Sequence, residues 1–64
     1  MFNLAKLKIL RERQGLTQRE IHEATGLSIT TISNIENGHR SSVEQGTIEK
    51  LANALGVKPR AFLR

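Results

Sequence analysis

Two short segments with helix-start signals meet at a single glycine, and this junction restricts the folds that are open to the chain. Residues 16–38 read LTQREIHEATGLSITTISNIENG, with Gly26 between the two segments. A helix of about eight residues is not stable alone in water, so the rest of the chain must hold both. The connection is too short for a comfortable antiparallel hairpin. It suits two helices that cross at a steep angle, a helix-turn-helix arrangement.

Capping signals open both segments. Thr17 and Glu20 fit the N-cap and N3 positions of a capping box, which predicts helix 2 over about 18–25. Ser28 fits the next N-cap, and the apolar spacing that follows it predicts helix 3 over about 28–37.

Segments near both ends of the chain also carry helix signals. Asn3 can cap a first helix that ends at Gly15, where a left-handed backbone costs glycine nothing. Pro59 fits the first position of a short last helix, because its missing N–H does no harm there. No segment alternates with a period of two over five residues, so no strand is predicted.

The fourth helix has an ambiguous start. Its apolar residues recur at helical spacing, and it ends at Gly56. Ser41, Ser42 and Thr47 are all possible N-caps. Gly46 inside the helix would cost about 1 kcal/mol, which favours a start near Thr47. The prediction is therefore an all-α fold of five helices.

Length and composition restrict the class of protein. A chain of 64 residues has room for a single domain, 1–64, with one small core. It contains no Cys, and the lack of disulfides in so small a domain favours a reducing compartment, the cytoplasm. Ten Lys and Arg against six Glu give a net charge of +4, which favours nucleic acid as a partner. The apolar runs are too short to span a membrane.

Helix 3 has two faces of different chemistry. Ile32 and Ile35 lie on the side that packs. The opposite side carries Ile29, Thr30, Ser33, Asn34 and Asn37. This free side has no charge and several short hydrogen-bonding groups, whereas helices that face only water usually favour Glu and Lys. The pattern indicates a binding surface.

Three blocks of the sequence then point to a family. LKILRERQGLTQREI, GLSITTISNIENG and IEKLANALGV resemble the successive blocks of the Cro/C1-type (XRE) helix-turn-helix family, the lambda-repressor-like domains of phage and bacterial regulators. The resemblance runs from about Leu4 to Leu63. It implies a compact five-helix domain that binds double-stranded DNA sequence-specifically and regulates transcription, more often as a repressor than as an activator. It also implies a homodimer on a palindromic operator.

The resemblance assigns roles on helix 3, which in such domains enters the major groove. The residues that it implies for base contact are Ile29, Thr30, Ser33 and Asn34. Asn34 can pair with adenine, and the methyl groups of Ile29 and Thr30 can touch thymine. Because no Arg or Lys lies on this face, the expected readout leans towards A·T pairs.

Phosphate contacts are expected on either side of these residues. The resemblance implies Gln18, Arg19, Ser28, Thr31, Asn37, His39 and Arg40. Gln18 opens helix 2, where free N–H groups and the helix dipole favour an anion. Ser28 has an alternative use, because its hydroxyl can be taken up by its own cap.

Other positions match or depart from the family pattern. Arg11 and Glu36 match an arginine and a glutamate that members commonly pair in a partly buried salt bridge. His22 stands where helix 2 usually has a small residue, so its ring must point outward or widen the helix crossing. The segment after Gly38 lacks the usual Pro, which leaves the register of Arg40 open.

Other classes of function find less support. An enzyme is not predicted, because the two His lie on separate elements and no metal-binding or phosphate-loop motif occurs. No cofactor or metal is expected. The main rival is an interaction module for a protein partner such as a toxin, an antirepressor or an RNA-polymerase subunit. The expected dimer surface includes residues 59–64, and the chain is either a complete minimal regulator or one domain of a longer protein.

Overall fold

Four α-helices and one 3₁₀ helix make up the regular structure of residues 2–40 and 42–63, which are the residues that the computed structural model describes. The helices are α1 (Lys6–Arg13), α2 (Gln18–Thr25), α3 (Ile29–Glu36), α4 (Gln45–Leu55) and the 3₁₀ helix (Pro59–Phe62). The all-α prediction is confirmed for these residues. Ser41 and Arg64, which were predicted as an alternative cap and as part of the dimer surface, lie outside them.

The predicted count of five α-helices is wrong. The fifth segment is one 3₁₀ turn, in which Ala61 and Leu63 donate their N–H groups three residues back, to Lys58 and Arg60, at 2.9 and 3.0 Å. It cannot continue, because Leu63 is extended and forms an isolated antiparallel bridge with Phe2. Pairing between the two ends of the chain therefore ends the last helix after four residues.

Because of the same pairing, α1 starts later than predicted. Asn3 does not cap this helix: Ala5 occupies the N-cap position, and no side chain bonds to the first turn. Instead the Asn3 N–H donates to the Phe62 carbonyl at 2.6 Å, while the Asn3 carbonyl accepts from Lys6 at 3.1 Å. Asn3 thus joins the two chain ends, and the helix begins beyond it.

Helix α4 starts earlier than predicted. It begins at Gln45, with Glu44 in the N-cap position and no side-chain cap, so the predicted start near Thr47 is wrong. Gly46 lies in the first turn, where N–H groups have no partner within the helix. The interior penalty assumed for this glycine therefore overstated its cost.

One apolar cluster holds the helices together, and every element contributes to it. Its largest fully buried members are Leu7, Ile21, Ile32, Ile35, Leu51 and Phe62. Ile32 and Ile35 anchor α3 on its packed side, as predicted, so its opposite side is free. Among the described residues no helix has the length and apolar character needed to cross a membrane.

Candidate nucleic-acid interface

The predicted caps of α2 and α3 both form. Thr17 Oγ1 accepts from the Glu20 N–H at 3.0 Å, and Glu20 Oε1 accepts from the Thr17 N–H at 2.8 Å, which completes the capping box. Ser28 Oγ accepts from the Thr31 N–H at 3.0 Å. Gly26 takes a left-handed conformation, with φ of +79°, and turns the chain between the two helices.

Side chains of α2 also form hydrogen bonds with the main chain of the turn, and these bonds were not predicted from the sequence. The Thr25 hydroxyl donates to the Ile21 carbonyl at 2.7 Å and accepts from the Leu27 N–H at 3.1 Å. His22 Nδ1 lies 2.6 Å from the Leu27 carbonyl oxygen. The half-buried His22 ring therefore bonds to the turn instead of simply pointing outward. A threonine in a last turn is a known signal for such bonds, but no spacing rule indicates the histidine contact.

The free face of α3 presents the four residues expected to contact bases. Ile29 is 43% exposed and Thr30 is also exposed, whereas Ser33 and Asn34 are half-buried. Asn37 Nδ2 donates to Ser33 Oγ at 3.3 Å, so these two side chains are linked. Within the described residues the Asn34 side-chain amide has no hydrogen-bond partner. Its donor and its acceptor are both free for a ligand.

The segment that follows α3 reverses direction at the C-terminal end of that helix. The Asn34 carbonyl accepts from the N–H groups of His39 and Arg40, at 2.9 and 3.2 Å. Gly38 permits this reversal with a φ of +79°. The bonds fix the backbone of Arg40 beside Asn34, and the side chains of His39 and Arg40 are exposed. They hold the segment in the absence of the usual Pro.

Gln18 and Ser28, which were expected to contact phosphate, have hydrogen-bond partners within the protein. Gln18 Nε2 donates to Glu36 Oε1 at 3.0 Å, which occupies one of its two amide N–H groups. The Ser28 hydroxyl donates to Thr31 Oγ1 at 2.8 Å, in addition to its capping role. The hydroxyl proton of Ser28 is therefore not available to a phosphate, while that of Thr31 has no acceptor among the described residues.

Arg19 stays near the surface of α2. Its Nε lies 3.6 Å from Glu23 Oε2, and both side chains are largely exposed. An exposed pair of this kind contributes little to stability. Arg19 can therefore exchange Glu23 for another anion at low cost.

A buried carboxylate ties α1, α2 and α3 together. Arg11 donates to Glu36 through Nε at 2.7 Å and through Nη2 at 3.0 Å, and the Glu36 side chain is only 2% exposed. Burial alone would raise the pKa of Glu36, but the hydrogen bonds from Arg11 and Gln18 and the charge of Arg11 hold it below its ordinary value. The same hydrogen bond raises the pKa of Arg11. Arg11 also donates from Nη1 to the Leu16 carbonyl at 2.8 Å.

This burial shapes the charge of the candidate interface. Glu36 is the only acidic residue between Glu23 and Glu44. Because its charge is buried against Arg11, the surface formed by α3 and the segment after it presents no exposed carboxylate, and Arg40 gives it a positive edge. A polyanion that contacts α3 and residues 37–40 therefore meets no exposed carboxylate of those residues.

Comparisons with known proteins agree with this geometry. A family model described as helix-turn-helix matches residues 7–62. The chain is 42% identical over 52 residues to the HTH-type transcriptional repressor RghR of Bacillus subtilis, across 81% of this chain and 38% of that protein. It is equally identical, over the same length, to the HTH-type transcriptional regulator RghRB of Bacillus subtilis, across 37% of that protein.

A solved structure has the same fold. The restriction-modification controller protein C.AhdI from Aeromonas hydrophila superposes with a TM-score of 0.86 at 32% sequence identity, over 97% of this chain and 94% of that chain. The chain thus spans nearly all of this controller but less than two fifths of the two curated relatives. The resemblance found in the sequence is confirmed: the chain belongs to the Cro/C1-type helix-turn-helix family.

Proposed function

We propose that this protein is a sequence-specific, double-stranded-DNA-binding regulator of transcription that reads the major groove with α3. The observation that carries the proposal is the free face of α3. It combines uncharged hydrogen-bonding and methyl groups with a neighbouring cationic segment, and the one carboxylate of α3 is buried in an ion pair. Such a face suits base edges flanked by phosphates.

Four side chains read bases in this proposal. The free amide of Asn34 presents the donor and the acceptor that adenine N6 and N7 require. The exposed methyl groups of Ile29 and Thr30 contact thymine methyl groups. Ser33 accepts from Asn37, which leaves its hydroxyl proton for an acceptor on a base. The expected site is therefore rich in A·T pairs.

The phosphate contacts surround this set. Arg40 is the principal cation, since its backbone is held beside Asn34, and the exposed His39 and Asn37 lie in the same segment. On the other side, α2 offers the free N–H groups of its first turn and Arg19. Gln18 keeps one free amide N–H, Thr31 keeps its hydroxyl proton, and Ser28 contributes least because its hydroxyl is used internally.

In this proposal the protein regulates transcription by occupying its binding site on DNA. A homodimer on a palindromic operator in a promoter, with half-sites about 34 Å apart, would block transcription in the cytoplasm. The similarity to a protein named as a transcriptional repressor supports repression over activation. The two-fold symmetry of the operator would match that of the dimer.

The test is a selection from random duplex DNA with the purified protein, repeated with Asn34→Ala and Arg40→Ala. We expect the wild type to enrich a two-fold-symmetric motif that contains A·T pairs. Asn34→Ala should lose preference at particular positions, because it removes a base contact. Arg40→Ala should weaken binding to all sequences alike, because it removes a phosphate contact.

The results of this selection distinguish a DNA-binding regulator from an interaction module for a protein partner. If no sequence is enriched at low salt, or if Asn34→Ala enriches the same motif with the same strength, the groove assignment is wrong. A protein that selects no DNA would instead be examined as an interaction module for a protein partner. Far-ultraviolet circular dichroism of each variant confirms that a change in selection does not arise from unfolding.

A further inference from the structure

The main chain of Leu27 is held on both sides by side chains of α2. Its N–H donates to Thr25 Oγ1 at 3.1 Å, and its carbonyl oxygen lies 2.6 Å from His22 Nδ1. Leu27 directly precedes Ser28, the N-cap of α3, and its own side chain packs against the core. The direction in which α3 leaves the turn therefore depends on where these two bonds place Leu27.

The partner of His22 fixes the chemistry of its ring. A carbonyl oxygen only accepts, so Nδ1 must carry a proton for the contact at 2.6 Å to be a hydrogen bond. The neutral ring then carries its proton on Nδ1, and Nε2 has none. Among the described residues Nε2 has no protein partner. The tautomer is thus set by one contact, that with Leu27.

We infer that His22 is a positioning residue that fixes the start of the recognition helix on α2 through the bond from Nδ1–H to the Leu27 carbonyl. This inference rests on the proposed function only for its effect on DNA. His22 is not expected to touch bases or phosphates. It acts through Leu27 and the cap at Ser28, and thereby sets how Ile29 and Thr30 face a ligand.

The first test reads the tautomer by nitrogen-15 nuclear magnetic resonance. In alkaline solution an imidazole is neutral, and its protonated nitrogen is identified by its chemical shift and its couplings to ring protons. We expect the Nδ1–H form for His22. The exposed ring of His39 serves as an internal reference in the same spectrum, because it has no hydrogen-bond partner among the described residues. An Nε2–H form for His22 would overturn the inference.

The second test uses a pair of variants. In His22→Asn the amide nitrogen is as many bonds from Cα as Nδ1 is, so it can reach the same carbonyl. His22→Leu fills the space without a donor. We expect amide exchange at Leu27 and Thr31 to accelerate about fivefold in His22→Leu and to stay near the wild-type rate in His22→Asn. Exchange at Leu51, in the middle of α4, reports on overall stability, and the acceleration at Leu27 and Thr31 in His22→Leu should exceed any acceleration there.

The affinity for DNA should change in the same order as the amide exchange rates, with a larger effect in His22→Leu than in His22→Asn. Binding to the duplex selected by the wild type should weaken about fivefold to tenfold in His22→Leu. In His22→Asn the affinity should stay within about twofold of the wild-type value. Equal behaviour of the two variants, or no local change in His22→Leu, would show that the hydrogen bond positions nothing. If the wild type selects no duplex, the proposed function fails, and the tautomer and the exchange rates still decide the role of His22.

Discussion

Removing Arg11 should be among the most damaging single changes available to this protein. Arg11→Met keeps the length of the side chain and deletes three hydrogen bonds, two to Glu36 and one to the Leu16 carbonyl. It leaves a carboxylate that is 2% exposed with Gln18 as its remaining side-chain partner. Breaking a buried ion pair from one side typically costs about 3–5 kcal/mol.

The part of this cost that comes from the unpaired charge of Glu36 has a maximum value, and that maximum depends on pH. Glu36 can escape an unpaired buried charge by binding a proton. At about pH 7 that costs about 3.7 kcal/mol for a carboxyl with an ordinary pKa of about 4.3. With the lost bond to Leu16 included, we expect Arg11→Met to lose about 4–5 kcal/mol. A domain of this size typically has a free energy of unfolding of about 3–10 kcal/mol, so the variant should lose about half of its stability or more.

Urea unfolding followed by far-ultraviolet circular dichroism measures this loss, since the chain has no Trp or Tyr for fluorescence. The matched control is Arg11→Met combined with Glu36→Leu, which also removes the unpaired charge. It should recover to within about 2 kcal/mol of the wild type. The unpaired charge of Glu36 is not the source of the loss if Arg11→Met lies within about 1 kcal/mol of the wild type, or if the double variant is no more stable than the single one.

Three further predictions follow from the same contacts. The pKa of Glu36 is lowered in the folded protein, so its stabilising contribution is fully present above the ordinary value of about 4.3 and is lost as pH falls through the folded value. The free energy of unfolding should therefore fall more steeply with decreasing pH in the wild type than in Glu36→Gln. Equal slopes in the two proteins would contradict this prediction. Ser28→Ala removes the cap of α3 and should cost about 1 kcal/mol in urea unfolding, whereas Ser42→Ala, an exposed serine with no capping bond, should cost nothing measurable. Arg40→Ala should lower the salt slope of DNA binding by about 0.9 for each protomer bound, and an unchanged slope would remove Arg40 from the phosphate contacts.

The sequence predicted well those features that depend on neighbours along the chain. The capping box at Thr17, the cap at Ser28 and the end of α2 at Gly26 each depend on only a few consecutive residues, and all three are confirmed. The packed side of α3 was predictable for the same reason, since Ile32 and Ile35 follow the helical period. What these elements do with DNA stays a prediction.

Errors arose where distant parts of the chain meet. Asn3 has every local property of an N-cap, but its backbone pairs with Phe62, which is remote in the sequence. Gln18 was expected to contact phosphate and no partner within the protein was predicted for it, yet one of its amide N–H groups donates to Glu36 on α3. The contact of His22 with Leu27 depends on the angle of the turn, which capping signals do not specify. Side chains that bridge two elements are thus the least predictable part of the site.

The claim that α3 reads base edges is tested most directly by nuclear magnetic resonance of the protein bound to its selected duplex. We predict intermolecular Overhauser effects from the methyl groups of Ile29 and Thr30 to thymine methyl protons, and a shift of the Asn34 side-chain amide signals on binding. Contacts to the duplex from the exposed sides of α1 or α4, with the signals of α3 unchanged, would contradict the account.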